Sequence, residues 1–261
     1  MRLHVVIPHH SHRTGLRAAL AAVAGWPVLV VDDGPVGAAL GDGDVPRGTP
    51  VLRTAGETGF ARACNAGLAA AAAAGATHAL LLNDDAAPAP DCVARLAAAG
   101  AARPALVGPV LVGPGGAVES AGIDLGWSGR VKCRRAVPAQ ITAVPALSGA
   151  CLLLPVHLRF DPGYPHGMED LALCRAARVA GLAVLLEPAA RCVHTGGATR
   201  PRRSPAAVAA AVHGHVRLVG GGWRTGIVAG LAVAQALREG PSPARLGAVL
   251  RGLRAGLRAA E

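Results

Sequence analysis

Leu80-Leu81-Leu82-Asn83-Asp84-Asp85 is an apolar run that ends abruptly in one amide and two carboxylates. A continuous apolar stretch of this length, opened at His78, reads as a buried strand over His78–Asn83. In an open parallel sheet, ligands sit beyond the carboxyl ends of the strands, which is where this polar triplet falls. Carboxylates placed there can hold a divalent cation through oxygen while the cation bridges a diphosphate, and Mg²⁺ or Mn²⁺ suits such donors best. Taken alone, the triplet is equally an Asx cap on the loop before the helix near Pro90; the rest of the chain decides between the two.

Upstream, short β-type runs alternate with helical patterns, as in a parallel sheet with crossover helices. The runs predict strands over Leu3–Ile7, Val28–Asp32 and Pro50–Arg53, and helices over Arg13–Ala24, Thr58–Ala74 and Pro90–Ala102, with Gly25 and Gly75 as stops after the first two helices. From Ala105 to about Val156 the pattern shifts to strand-like pieces broken by Gly and Pro, namely Leu106–Val112, Ala117–Ile123, Arg130–Val137 and Leu147–Leu154, as in a mixed or antiparallel half. A helix over Met168–Ala180, strands over Ala183–Leu186 and Arg191–His194, and helices over Pro205–Leu218, Trp223–Arg238 and Pro243–Ala259 complete the chain. In the last helix Leu246, Val249, Leu250, Leu253 and Leu257 recur at helical spacing, with Arg251, Arg254 and Arg258 elsewhere around it. That is a basic amphipathic helix, able to pack on the domain or to lie on a membrane surface.

Composition narrows the classes further. The 261 residues are 52% hydrophobic and 16% charged, which excludes intrinsic disorder and leaves 35 Gly and 20 Pro as punctuation in a folded chain. Net charge is +10, but residues 1–190 are close to neutral while residues 191–261 carry 11 Arg against Glu239 and Glu261. Such a tail attracts polyanions, whether nucleic acid or an anionic membrane. Its longest apolar stretch, Thr225 to Leu237, is shorter than the roughly 20 residues a membrane crossing needs. Six cysteines without a C-x-x-C pair, behind a start that runs into Pro8 and His9 instead of a signal segment, point to the reducing cytoplasm.

Polar residues follow the other strands too: His9, His10 and His12 after the first, Asp32 and Asp33 after the second, Thr54 to Thr58 after the third. Glu169-Asp170 opens the helix after Gly167-Met168, where the helix N-terminus helps keep a carboxylate ionised, the state a general base needs. His194 ends a short strand before Gly196-Gly197, and its neutral imidazole could complete a cation's shell. Bland alternatives are an ordinary N-terminal acid and a satisfied structural histidine. A dinucleotide-dependent dehydrogenase would need Gly-x-Gly-x-x-Gly after the first strand, where Pro8-His9-His10 stands instead, and no P-loop surrounds Lys132. Zinc is disfavoured because alternation along a strand splits His4, His9, His10 and His12 between faces.

Taken in order, these segments resemble family 2 glycosyltransferases of the GT-A fold, especially the bacterial rhamnosyltransferase-like branch. The likeness rests on Val-Val-Ile-Pro at 5–8, Val-Val-Asp-Asp at 30–33, and Gly56-Glu57-Thr58-Gly59-Phe60-Ala61 followed by Asn65-Ala66-Gly67. It continues with Leu-Leu-Asn-Asp-Asp at 81–85, Ser148-Gly149-Ala150, and Gly167-Met168-Glu169-Asp170 followed by Arg175 and Gly181, and covers roughly residues 3–200. It implies an α/β GT-A domain over 1–200, with a mixed central sheet and flanking helices, and a basic helical extension over 201–261.

The resemblance further implies an inverting hexosyl- or deoxyhexosyltransferase that moves a sugar from a nucleoside-diphosphate sugar to an acceptor hydroxyl, with Mg²⁺ or Mn²⁺. Pro8, His9, and Asp32 or Asp33 would border the nucleotide, and Gly59, Phe60, Arg62 and Asn65 the nucleotide-sugar pocket. Asn83-Asp84-Asp85 would be the Asp-x-Asp metal motif with Asn in place of the first Asp. Asp85 and His194 would be the metal ligands, and Asp84 would border the sugar or ribose. Asp170 would be the catalytic base, with Glu169 placing acceptor or sugar. Gly-Glu-Thr-Gly stands where relatives usually have Gly-Asn-x-Gly, so position 57 departs from the pattern. The expected setting is cytoplasmic, with the tail as a peripheral contact to the inner face of the membrane and a lipid-linked acceptor. The competing expectations are a non-catalytic nucleotide-sugar-binding relative and a nucleic-acid binder using the cationic tail.

Overall fold

The computed structural model describes residues 1–164, 167–196, 204–238, 240 and 242–259. The first half is built as expected: β1 (Leu3–His9), α1 (Arg13–Ala22), β2 (Val28–Asp32), β3 (Val51–Arg53), α2 (Phe60–Ala73) and β4 (His78–Leu82). Gly25 and Gly75 stand just past the first two helices with positive φ, as stops should. There follow β5 (Ala86–Pro88), α3 (Cys92–Ala102), β6 (Ala105–Val112), β7 (Val118–Ser120), β8 (Ile123–Leu125), β9 (Val131–Cys133), β10 (Thr142–Ala143) and β11 (Cys151–Pro155). The chain then forms α4 (Glu169–Val179), β12 (Ala183–His194), α5 (Pro205–Val219), α6 (Trp223–Arg238) and α7 (Pro243–Arg258).

The strands make a mixed sheet in the order β10-β12-β6-β11-β4-β1-β2-β3, with β5 and β7 attached at β12 and β6. β1, β2, β3 and β4 pair in parallel, whereas β11 lies antiparallel between β4 and β6. This pairing matters for the site, because the amino end of β11 therefore adjoins the carboxyl ends of the parallel strands. Alternation along each strand feeds two core layers. Val6, Val31, Leu81, Leu152 and Leu186 pack under α2 and α4, while Val5, Ile7, Val30, Leu80 and Leu153 pack under α1 and α3.

Several expected strands come out differently. Ala117–Ile123 breaks at Gly122 into β7 and β8, and Arg130–Val137 shortens to β9, which pairs with β8 as a ribbon off the main sheet. Ala183–Leu186 and Arg191–His194 are one strand whose register shifts between Glu187 and Arg191. The strand expected over Leu147–Leu154 begins only at Cys151, because the chain before it turns across the sheet rim. The helix expected from Thr58 begins at Phe60, since the Thr58 and Gly59 N–H groups bond the Asp33 carboxylate. β5 and β10 are too short to leave a pattern in the sequence. The boundary expected at 200/201 lies outside the described residues.

The tail helices do pack on the body. His215 Nε2 lies 2.6 Å from the Gly129 carbonyl, Arg217 pairs with Asp161 at 2.9 Å, and Arg175 donates to the Leu218 carbonyl at 2.6 Å. α7 packs along α5 through small residues, Ala248, Gly252 and Gly256, which are buried.

Gly67 sets how closely α2 approaches the sheet. A methyl group there would land on Val6 Cγ1 and 2.8 Å from Val31 Cγ2, two fully buried side chains. Gly67→Ala is therefore expected to destabilise the protein by about 1–3 kcal/mol through overpacking. The check is a lower urea midpoint with an unchanged denaturant slope.

Candidate active site at the sheet rim

The second-strand acids are the first residues placed by the fold, and both are deeply engaged. Asp32 accepts from the Leu40 N–H at 2.8 Å and the Gly34 N–H at 3.2 Å, and pairs with Arg53 at 2.7 Å. Asp33 accepts from Thr54 Oγ1 at 2.5 Å, Thr58 Oγ1 at 2.7 Å, and the Thr58 and Gly59 N–H groups at 3.0 and 2.9 Å. Burial alone would raise both carboxyls, but these hydrogen bonds outweigh it and hold them below the usual carboxylate range. Asp33 thus serves the start of α2 with the charge that its exposed N–H groups favour. Glu57, in the same loop, has φ +51°, a left-handed conformation that Asn tolerates better than Glu.

The β4 triplet and its neighbours lie on the same rim. His9, paired in register with Asp32 across β1 and β2, places Nδ1 2.7 Å from Asp84 Oδ2, and both side chains are buried. Pro8 precedes it in β1. Asp85 Oδ1 lies 3.3 Å from His194 Nε2, the ring brought there by β12, whose end pairs with β5. On the far side of that ring, Glu119 of β7 places Oε2 3.7 Å from Nδ1. Glu119 had no signal in the sequence, since its partner lies far along the chain and it belongs to no motif. A carboxylate behind a ligating imidazole is the usual device for fixing its orientation.

Glu169 and Asp170 reach this rim through Ser148-Gly149-Ala150. The Asn83 N–H donates to the Ala150 carbonyl at 2.9 Å, and the Gly149 N–H donates to Asp170 Oδ2 at 3.0 Å. One tripeptide therefore ties the end of β4 to the start of α4. The Leu171 N–H holds the other Asp170 oxygen at 2.9 Å. Met168, just before the pair, has φ +72°, and Gly214 of α5 packs close against the Gly167 carbonyl. Burial pushes Glu169 up to about 8, the adjacent Asp170 charge adding to the effect. Burial raises Asp170 as well, against the hydrogen bonds from Gly149 and Leu171. Cys64, buried in α2, sits near both ends of the site: its thiol is pushed up by burial, then by the charges of Glu169 and Asp33.

Of the pocket-lining residues expected from the Gly-Phe-Ala segment, Phe60 packs edge-on against Phe160 at 5.9 Å and lies close to Gly149. Gly59 carries the Asp33 contact. Asn65 exchanges two 2.8 Å hydrogen bonds with the Phe160 backbone, and Arg62 is exposed. Two buried oxygens on the rim, Asn83 Oδ1 and Glu169 Oε2, have no hydrogen-bond partner among the described residues. Buried acceptors of this kind call for a ligand or water.

Among the described residues, no group of three or more His, Cys, Asp and Glu could hold a metal ion. Asp85 and His194 make a two-residue set, one oxygen and one nitrogen donor. Mg²⁺ and Mn²⁺ commonly keep waters and take one or two protein ligands together with substrate phosphates, so the set fits an ion that arrives with a diphosphate.

No protein-family model matches the chain. No curated protein matches it either. Solved structures do. GalNAc-T7, crystallised with UDP, GalNAc and Mn²⁺, aligns with a TM-score of 0.61 at 15% identity over 97% of this chain and 53% of that one. S. aureus TarS aligns at 0.56 with 14% identity over 84% of this chain and 39% of that one. Residues 1–349 of TarS, in complex with UDP-GlcNAc, align at 0.62 with 12% identity over 100% and 82%. The chain thus spans about half the length of GalNAc-T7 and less of whole TarS. These neighbours are GT-A-type glycosyltransferases, and the likeness establishes that this chain has the GT-A fold.

The raised Glu169 gives a pH signature with a definite sign. Between the ordinary glutamate value of 4.5 and about 8, the folded state keeps a proton that the unfolded chain has lost. Stability therefore falls as pH rises through that window and levels above it. Glu169→Gln is expected to flatten most of this slope and to raise stability at the alkaline end, measured by denaturant midpoints from about pH 5 to about pH 9.

Proposed function

We propose that the chain is an inverting glycosyltransferase that moves a sugar from a nucleoside-diphosphate sugar to an acceptor hydroxyl with the help of Mg²⁺ or Mn²⁺. The observation that carries this is the Ser148-Gly149-Ala150 bridge, which puts the Asp85–His194 pair and the Glu169–Asp170 pair on one rim of a GT-A sheet. The neighbours crystallised with UDP, with Mn²⁺ and with UDP-GlcNAc support a nucleotide-sugar donor. A family 2 enzyme of the rhamnosyltransferase-like branch, hexosyl- or deoxyhexosyl-transferring, remains our reading from the motif order, as does the division into residues 1–200 and 201–261, and the cytoplasmic setting remains our reading from the cysteine pattern.

In this reading the β2 end, with Asp32 and Asp33 ordering the loops around it, and the Gly59–Asn65 segment form the nucleotide side of the site. Asp84, held by His9, and Asn83 border the sugar or ribose. Asp85 and His194 would hold the metal, whose positive charge would stabilise a departing diphosphate. Asp170 accepts the proton of the acceptor hydroxyl as that oxygen bonds to the anomeric carbon and the bond to the diphosphate breaks on the opposite face. The product is inverted. Burial raises Asp170 toward the working pH, while the Gly149 and Leu171 N–H groups aim its oxygens. Glu169, holding its proton up to about pH 8, can donate a hydrogen bond to acceptor or sugar.

Asp170→Asn should lower transfer by about three orders of magnitude or more while leaving nucleotide-sugar binding nearly intact, a split that a merely structural residue would not give. Turnover is followed by release of nucleoside diphosphate and binding by calorimetry; parental turnover in the variant would end the base assignment. Asp85→Ala should weaken UDP binding in the presence of Mn²⁺ and leave metal-free binding unchanged. An unaltered Mn²⁺ titration would remove Asp85 from the metal site.

A further inference from the structure

The tail carries an arrangement that nothing in the donor site explains. In α7 the small residues Ala248, Gly252 and Gly256 are buried against α5, so closely that a Cβ added at Gly252 would collide with the Ala209 carbonyl and one at Gly256 would fall 2.6 Å from Val216 Cβ. Two leucines of the same helix, Leu250 and Leu257, are left 53% and 43% exposed. α6 shows the same inversion. Thr225, Val228 and Ala236 face inward, whereas Trp223 (57%), Leu231, Val233 and Leu237 (51%) face out. The Trp223 ring lies 5.4 Å from that of Trp127, itself 77% exposed on the β8–β9 turn.

Around these apolar side chains stand cations. Arg224 lies over the Trp223 ring at 5.7 Å, Arg238 closes the other end of α6, and Arg251, Arg254 and Arg258 are exposed on α7. None of these five is in an ion pair with a carboxylate among the described residues, although residues 191–261 hold 11 Arg against two Glu. No helix among the described residues is long and apolar enough to cross a membrane. An apolar helical face edged by arginines, with paired tryptophans at one end, is the composition of a helix lying in the interface of an anionic bilayer. Nucleic acid would satisfy the charge and leave the leucines in water; an apolar partner would satisfy the leucines and leave the arginines without anions.

We propose that the outer face of α6, with Trp127 beside Trp223, is the surface by which this protein lies on anionic lipid. In combination with the glycosyltransferase reading, on which this clause rests, the surface would bring the donor site to a membrane-borne acceptor; lipid binding itself does not depend on that reading.

The test is sedimentation of the full chain with vesicles of phosphatidylcholine alone and with about 30% phosphatidylglycerol. We expect at least about ten-fold tighter binding to the anionic vesicles, and about ten-fold weakening by the double variant Leu231→Ser, Leu237→Ser, whose circular dichroism should match the parent. Arg224→Gln with Arg238→Gln should flatten the salt dependence. Equal binding to both vesicle types, or unchanged binding by the leucine variant, would overturn the proposal. So would a dimer in light scattering that the leucine variant dissolves, or RNA binding as tight as vesicle binding and insensitive to that variant. A thermal shift with UDP-sugar and Mn²⁺ reads the donor site separately: its absence in the parent would count against the glycosyltransferase reading alone.

Discussion

Two hydrogen bonds donated by backbone N–H groups hold the candidate site together: Asn83 N–H to the Ala150 carbonyl, and Gly149 N–H to the Asp170 carboxylate. They are possible because β11 runs antiparallel beside β4, so its amino end arrives where the carboxyl ends of the parallel strands already are. A parallel strand at this place would begin at the opposite edge of the sheet and leave Glu169 and Asp170 without a tie to the β4 acids.

The rim collects carboxylates of one chemical type and gives them opposite characters. Asp32 and Asp33 are drawn down by several N–H, hydroxyl and guanidinium donors each, and their work is to order the loops after β2 and β3. Glu169 and Asp170 have few donors and much burial, so both are pushed up. The balance between burial and donated hydrogen bonds separates the acids that build the site from those able to exchange a proton in it. Asp85 stands beside the His194 imidazole, whose other nitrogen faces Glu119.

The tail follows a different rule from the body. In the sheet, burial goes to Leu, Val and Ile, as transfer energetics favour. Where α7 meets α5, the buried α7 positions Ala248, Gly252 and Gly256 are small, which lets the helix lie against Val212, Val216 and the Ala209 carbonyl of α5. Leu253 packs against the α5 valines, and Leu250 and Leu257 are left outside. Amphipathic spacing left these residues able to pack on the domain or to lie on a membrane, because periodicity reports which residues share a face and is silent on whether that face meets protein or something else.

Much of this protein was legible in its order of residues. The alternation of strands and helices, the acids at strand ends and the motif order gave the α/β GT-A expectation, because periods of two and 3.6 residues and turn chemistry are local properties. Asp85 and His194 were each read as possible donors to a cation, and the fold brings their side chains to 3.3 Å. Tertiary structure alone decided that Glu119 stands behind that ring, that Asp32 and Asn65 are engaged by Arg53 and the Phe160 backbone, and that Leu237 and Leu250 face outward. Each of these is a contact between residues far apart in the chain, or between a helix and its neighbour's backbone, and such contacts depend on sheet order and helix separation, which no local pattern encodes.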